Sequence, residues 1–291
     1  MSKYLRPLLA VLLFVVIQGI TSVFVMLGVV FFCMYEHARQ TGESIFTGSS
    51  FPDMMPQMKV GEMSAIMIIS GLVTLLLLVK PLSSLRRPKA FDIHDVQWRK
   101  TPAAIVGCVA GVLAVNLLCE HLNLPDWTGE DIIGLMDSVP GVLAVGVLGP
   151  VVEEAVFRES LLGELLLQKV TPWKAILISA LLFGLIHGNP AQIPAACIIG
   201  LLLGVVYWKT GNIVLPILLH IANNLFCVAQ YWVMGEAADN FSMSEWMGGD
   251  PVAMVVATLS AMLCIGAIAH FVRDYPVVMT PENSDDDIKY I

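Results

Sequence analysis

Eight separate stretches of this chain stay apolar for about the thickness of a bilayer. A helix needs about 20 apolar residues to cross the hydrocarbon. Candidate spans fall at 7–33, 63–80, 102–119, 139–168, 173–188, 191–208, 213–233 and 251–272. This pattern predicts an all-α fold, a polytopic membrane helical bundle of about eight transmembrane spans. Composition agrees: 57% of residues are apolar and 14% charged, against about 45–50% and about 25% in soluble domains. The first span has a basic start, Lys3 and Arg6, and runs longer than a signal-peptide core with no A-x-A site after it. It reads as an uncleaved helix.

The basic residues are distributed unevenly between the loops. With the amino terminus inside, thirteen of the chain's 16 Lys and Arg residues fall in inner segments, among them Arg86, Arg87, Lys169, Lys174 and Lys209. Only Arg39 and Lys59 fall outside, where Asp126, Asp137, Glu236 and Asp250 make the loops acidic. Positive charge stays on the cytoplasmic face, so both termini are expected to be cytoplasmic. Trp173, Trp208 and Trp232 sit near span ends, as interfacial aromatics do. The net charge of −8 excludes nucleic acid as a partner. The six cysteines form no CxxC pair and read as apolar packing. Residues 1–273 read as a single transmembrane domain and 274–291, with Ser284-Asp285-Asp286-Asp287, as a disordered acidic tail. Residues 34–62 read as an irregular outer loop. No internal repeat is visible.

The stretch 139–168 is anomalous. As one helix it would be about 45 Å long, against a core of about 30 Å. A broken helix is expected near Gly149-Pro150, with a new helix starting at Val151 and a polar cavity beside Glu153.

That same stretch carries charges at an expensive depth. Glu153 and Glu154 are adjacent, and Arg158 follows Glu154 by four residues, which places those two on one helix face. Glu153 is rotated about 100° away. One carboxylate is thus held by arginine, while the other is free to bind a water and take its proton. The plainer reading is a buried ion pair that locks two helices, but a lock needs one acid and not two. His187 closes a later apolar run, with Phe183 one turn before it on the same face. His220 and Asn224 share a face of a third span and can both donate to an oxyanion. Each alone is as readily an interhelical hydrogen bond. Asn116 and Glu164 are the other core polar groups and read as packing or near-interface residues. Counted along their helices, Glu153 and His187 lie about 22 and 21 Å from the inner face, but His220 only about 10 Å. The three meet only if the helices tilt.

The ordered set Glu153-Glu154-x-x-x-Arg158, Phe183-x-x-x-His187 and His220-x-x-x-Asn224 resembles the motifs of the CAAX-protease and bacteriocin-processing family of intramembrane proteases. The resemblance covers the motif-bearing core, residues 139–230. It implies an endopeptidase in which Glu153 activates a water, His187 helps to position it, Glu154 pairs with Arg158, and His220 and Asn224 stabilise the oxyanion. It leaves two options for metal. A metal-free site is favoured, since no HExxH is present. If zinc is used, Glu153, Glu154, His187 and His220 are the ligand candidates. The expected partners are a peptide or protein substrate and the lipid bilayer, and the expected location is a bacterial inner (cell) membrane. The rival functions are a proton-coupled transporter and a non-catalytic scaffold or immunity protein of the same fold.

Overall fold

A computed structural model describes residues 4–41, 60–82, 93–94, 96–122, 124–127, 134–234, 242–273 and 275. Among these residues there are helices and no strands. In chain order they are α1 (Leu5–Thr41), α2 (Val60–Leu82), α3 (Thr101–Glu120), α4 (Val139–Leu167), α5 (Pro172–Leu185), α6 (Ile193–Thr210), α7 (Val214–Met234), the short α8 (Met243–Trp246) and α9 (Asp250–Val272). Among the described residues, six helices are long and apolar enough to cross a membrane; Met63–Leu77 and Pro172–Leu185 are shorter apolar segments. Every expected span thus has its helix. At 14 residues, though, α5 is about 21 Å long and too short to cross alone.

Local chemistry sets the helix ends. Proline sits in the first turn of α3, α4, α5, α6 and α9, where its missing N–H costs nothing. The Ser138 hydroxyl caps α4 by accepting from the Gly141 N–H at 3.0 Å. Gly211, with φ of 63°, ends α6 in the left-handed conformation that glycine adopts without strain. Immediately after it, Asn212 Oδ1 accepts from the Val214 and Leu215 N–H groups and starts α7.

The helices associate in pairs around α4: α1 with α2, α3 with α9, and α5 with α6. Close approach needs small residues, because lipid supplies no hydrophobic drive between helices. On α3, Gly107 and Gly111 are four apart. A Cβ at Gly107 would lie 2.9 Å from Ala267 Cβ, and one at Gly111 would lie 2.8 Å from Cys264 Sγ. The centre of the bundle is α4 itself, where Phe157, Leu161, Leu162 and Leu165 are wholly buried. Large apolar side chains such as Phe24, Leu76 and Ile265 point outward, as a lipid-facing surface requires.

The expected break at Gly149-Pro150 does not occur. Residues 139–167 form one helix, and Gly149 is itself helical (φ −51°, ψ −59°). Two π-helical segments, Ala144–Leu148 and Ala155–Leu162, flank the Gly-Pro pair at a short distance. In the first, the Gly149 N–H bonds to the Ala144 carbonyl five residues back. In this wider ladder the missing N–H of Pro150 leaves the Val145 carbonyl, five residues back, without a helical donor. In the second, the displaced Phe157 carbonyl accepts from Ser179 Oγ of α5 at 2.9 Å.

Two loop boundaries also differ from expectation. Both α1 and α2 extend into the segment read as an irregular outer loop, and 42–59 lie outside the described residues. Tyr275, placed in the disordered tail, is buried against Phe271, and its hydroxyl accepts from the Gln97 N–H at 2.8 Å. The rest of that tail, 274 and 276–291, lies outside the described residues.

Candidate active site

The site is built around the second half of α4. Glu154 and Arg158 are both wholly buried, with Arg158 Nε 3.0 Å from Glu154 Oε2. The N–H is not aimed at the oxygen as a hydrogen bond requires, so the contact is ionic. The guanidinium carbon lies 4.7 Å over the Phe183 ring, and Nη2 reaches toward the Gly200 carbonyl at 3.5 Å. Two charges so deeply buried persist only when each has the other.

The other oxygen of Glu154 is also occupied. Glu154 Oε1 is 3.0 Å from Nδ1 of His220, which is buried, and the Nε2 atom of the same ring is 3.7 Å from Glu153 Oε2. The imidazole therefore stands between the two neighbouring glutamates. A carboxylate held by arginine only accepts, so Nδ1 carries its proton and donates to Glu154. Nε2 faces Glu153, as a lone pair when the ring is neutral and as a second N–H when it is protonated. The depth count that separated these groups assumed that all helices end at one level. The 3.7 Å contact shows that α4 and α7 do not.

Glu153 has a different environment from Glu154. Its side chain is 27% exposed, against 0% for Glu154. It lines a cavity of ≈ 340 Å³ together with His187. The His187 Nδ1 atom is 2.8 Å from the Phe183 carbonyl. A carbonyl can only accept, so Nδ1 donates and Nε2 is left as the acceptor when the ring is neutral. Phe183 is the shared wall of the site: its ring meets His187 at 5.1 Å, His220 at 5.6 Å and Phe157 at 5.2 Å, each edge to face.

Asn224 has a partner that the sequence did not indicate. One of its N–H groups donates to the Val145 carbonyl at 2.9 Å, inside the first π-helical segment of α4. The wide turn leaves a carbonyl without its usual helical partner, and Asn224 supplies one. Both oxygens of Glu154 are engaged, and among the described residues no three His, Cys, Asp or Glu side chains are grouped to hold a metal.

Comparison with known proteins bears on the same segment. Residues 136–226 match the profile of a family described as "Type II CAAX prenyl endopeptidase Rce1-like". The chain is similar to "Putative membrane peptidase YdiL" of Bacillus subtilis (strain 168), at 26% identity over 173 residues, covering 58% of this chain and 70% of that protein. It is also similar to "UPF0177 protein YxdF" of Lactococcus lactis subsp. lactis (strain IL1403), at 28% identity over 148 residues, covering 47% of this chain and 78% of that protein. These matches fall on the same motif-bearing segment that resembles the CAAX-protease and bacteriocin-processing family. No solved structure matches it. The family segment holds every motif residue from Glu153 to Asn224. It leaves out α1 and α2, which form the facing wall of the cavity through Phe14, Val15, Gln18, Met67 and Gly71.

Sequence reasoning overlooked one buried acid in this family core. Glu159 is wholly buried, and its Oε2 accepts from the Tyr207 hydroxyl at 2.6 Å. Its position directly after Arg158, in an otherwise apolar run, was the available signal. Glu164 was noticed and is nearly buried, accepting from Gln168 Nε2 at 3.2 Å. Asn116 is on an exposed face of α3.

Proposed function

We propose that this protein is an intramembrane endopeptidase that hydrolyses a peptide bond with a water activated by Glu153. The observation that carries the reading is the unequal fate of the two glutamates. Glu154 is committed to Arg158 and His220, whereas Glu153 shares an accessible cavity with a histidine acceptor. That is the environment a general base needs, with one face toward water; its contact with His220, at 3.7 Å, is longer than either contact that holds Glu154. The match of residues 136–226 to a peptidase family and the similarity to a protein named as a membrane peptidase support the same reaction class.

In this mechanism a water sits between Glu153 and the Nε2 of His187. Glu153 takes one of its protons, and the resulting hydroxide adds to the scissile carbonyl carbon. Negative charge gathers on the former carbonyl oxygen. The protonated Nε2–H of His220, its ring steadied by Glu154, stabilises it, and so does the second N–H of Asn224. The C–N bond then breaks, and the leaving nitrogen takes the proton from Glu153. One water is consumed, and a new carboxyl and a new amine are released. The reaction as proposed uses no metal, and Glu154 acts by holding the charged His220 ring in orientation. The chain is proposed to lie in a bacterial inner membrane with both termini in the cytoplasm, on the strength of the basic inner loops.

The test is cleavage of synthetic transmembrane peptides by purified, reconstituted protein, with products mapped by mass spectrometry. Glu153→Ala, His187→Ala and His220→Ala should each abolish cleavage while the protein still expresses. Equal cleavage by these variants would reject the assignment. pH-coupled uptake of solute without any cleaved product would favour the transporter. Activity lost to a chelator and restored by zinc would reject the metal-free mechanism.

A further inference from the structure

A peptide bond inside a membrane must be freed from its helix before it can be cut. Each unwound residue then exposes an N–H and a C=O where water is scarce, and both need partners. The cavity beside Glu153 is lined chiefly by apolar side chains, Phe14, Leu148 and Val152 among them. Its polar side chains are Glu153, His187 and Gln18. The first two are occupied with the water, which leaves Gln18 of α1.

The Gln18 amide is held by α2. Its Nε2 donates to Ser70 Oγ at 3.0 Å, and its Oε1 accepts from Thr74 Oγ1 at 2.6 Å. Both hydroxyls are wholly buried. Ser70 Oγ also reaches the Met67 carbonyl at 3.2 Å and Thr74 Oγ1 the Ser70 carbonyl at 2.7 Å, so the two hydroxyls that clasp the amide are themselves anchored to the α2 backbone. A carboxamide has two N–H donors and two lone pairs on oxygen. One of each is used, and one of each remains.

We infer that Gln18 is a substrate-positioning residue: held by Ser70 and Thr74, it pairs with the backbone of the unwound segment beside the scissile bond, donating to a carbonyl and accepting from an N–H. This rests on the protease reading above. Gln18 lies outside the segment matched to the family, so the role belongs to the part of the cavity that α1 and α2 add. A simple clasp between α1 and α2 would use the same two hydrogen bonds, but it would not require the residue to line the cavity.

The experiment uses the reconstituted full chain and a synthetic transmembrane peptide that it cuts. The peptide is remade with single backbone esters, each removing one N–H, at the positions flanking but not including the cut bond. For wild type, one ester position should lower kcat/KM by about 5- to 10-fold, the effect of one hydrogen bond. Gln18→Met should lower kcat/KM on the all-amide peptide by about 10- to 30-fold, mainly through KM, and should be indifferent to that ester. An ester effect of the same size in Gln18→Met and wild type at every position overturns the inference, as does full activity of Gln18→Met. Should that variant not fold, Ser70→Ala combined with Thr74→Val keeps the amide but releases it. The ester effect should then shrink, and an unchanged one overturns the inference. If wild type cuts no membrane peptide, the protease reading falls and Gln18 with it. Cutting with identical ester responses removes the Gln18 role alone.

Discussion

On one side of α4, Glu154, Arg158 and Glu159 are sealed from solvent, and each is tied to named partners: His220, the Phe183 ring and Tyr207. On the other side, one residue away, Glu153 opens onto a cavity where polar side chains are few and retain unused capacity. The sealed side gives its charged groups fixed partners, so its purpose is to hold a geometry. The open side has an acid, an acceptor nitrogen and a half-used amide, and that surplus is what can act on another molecule. Adjacent residues reach these different ends because one helical step turns a side chain by about 100°.

If this contrast is right, substitutions on the two sides should fail in different ways. The largest effect is expected at Glu153→Gln, which removes the base at almost constant shape. Cleavage should fall by about 10²–10⁴-fold, with the thermal midpoint in detergent unchanged; a fall in the midpoint would make Glu153 a structural residue like its neighbour. Next, Arg158→Met leaves Glu154 buried without its counter-ion and should cost about 3–5 kcal/mol, seen as a sharp loss of folded protein. Adding Glu154→Met to it should recover stability but not activity. If the double variant is no more stable than the single, the pair is not what holds this side. Tyr207→Phe strips Glu159 of a short hydrogen bond and should destabilise by about 1.5–3 kcal/mol, with cleavage per folded molecule retained. Ser179→Ala should have the smallest effect, about 1 kcal/mol, because it removes one hydroxyl from the Phe157 carbonyl. A large loss of cleavage there at full stability would show that the π-helical segment also tunes the site.

Parts of the site were readable in advance because they follow from helix geometry alone. The four-residue spacing of Glu154 and Arg158 makes their pairing nearly automatic, and the same spacing puts Phe183 next to His187. Asn224 shows the limit. It shares a face with His220, as its spacing requires, but its N–H goes to Val145, a carbonyl exposed only because α4 widens into a π turn. Pro150 misled for the same reason: a proline normally ends a helix, and a local change of register absorbed it instead. Glu159 was overlooked because its partner, Tyr207, is 48 residues away on another helix.

The membrane helices, their approximate limits and the three motif spans were determined by the amino-acid sequence, since hydropathy and spacing act within a single helix and need no neighbours. Only the tertiary structure decided that His220 stands between two glutamates and that α1 closes the cavity beside Glu153 with Gln18. The reason is physical: a contact between helices depends on tilt, on the level at which each helix starts and on small-residue packing, and these are properties of the assembled bundle.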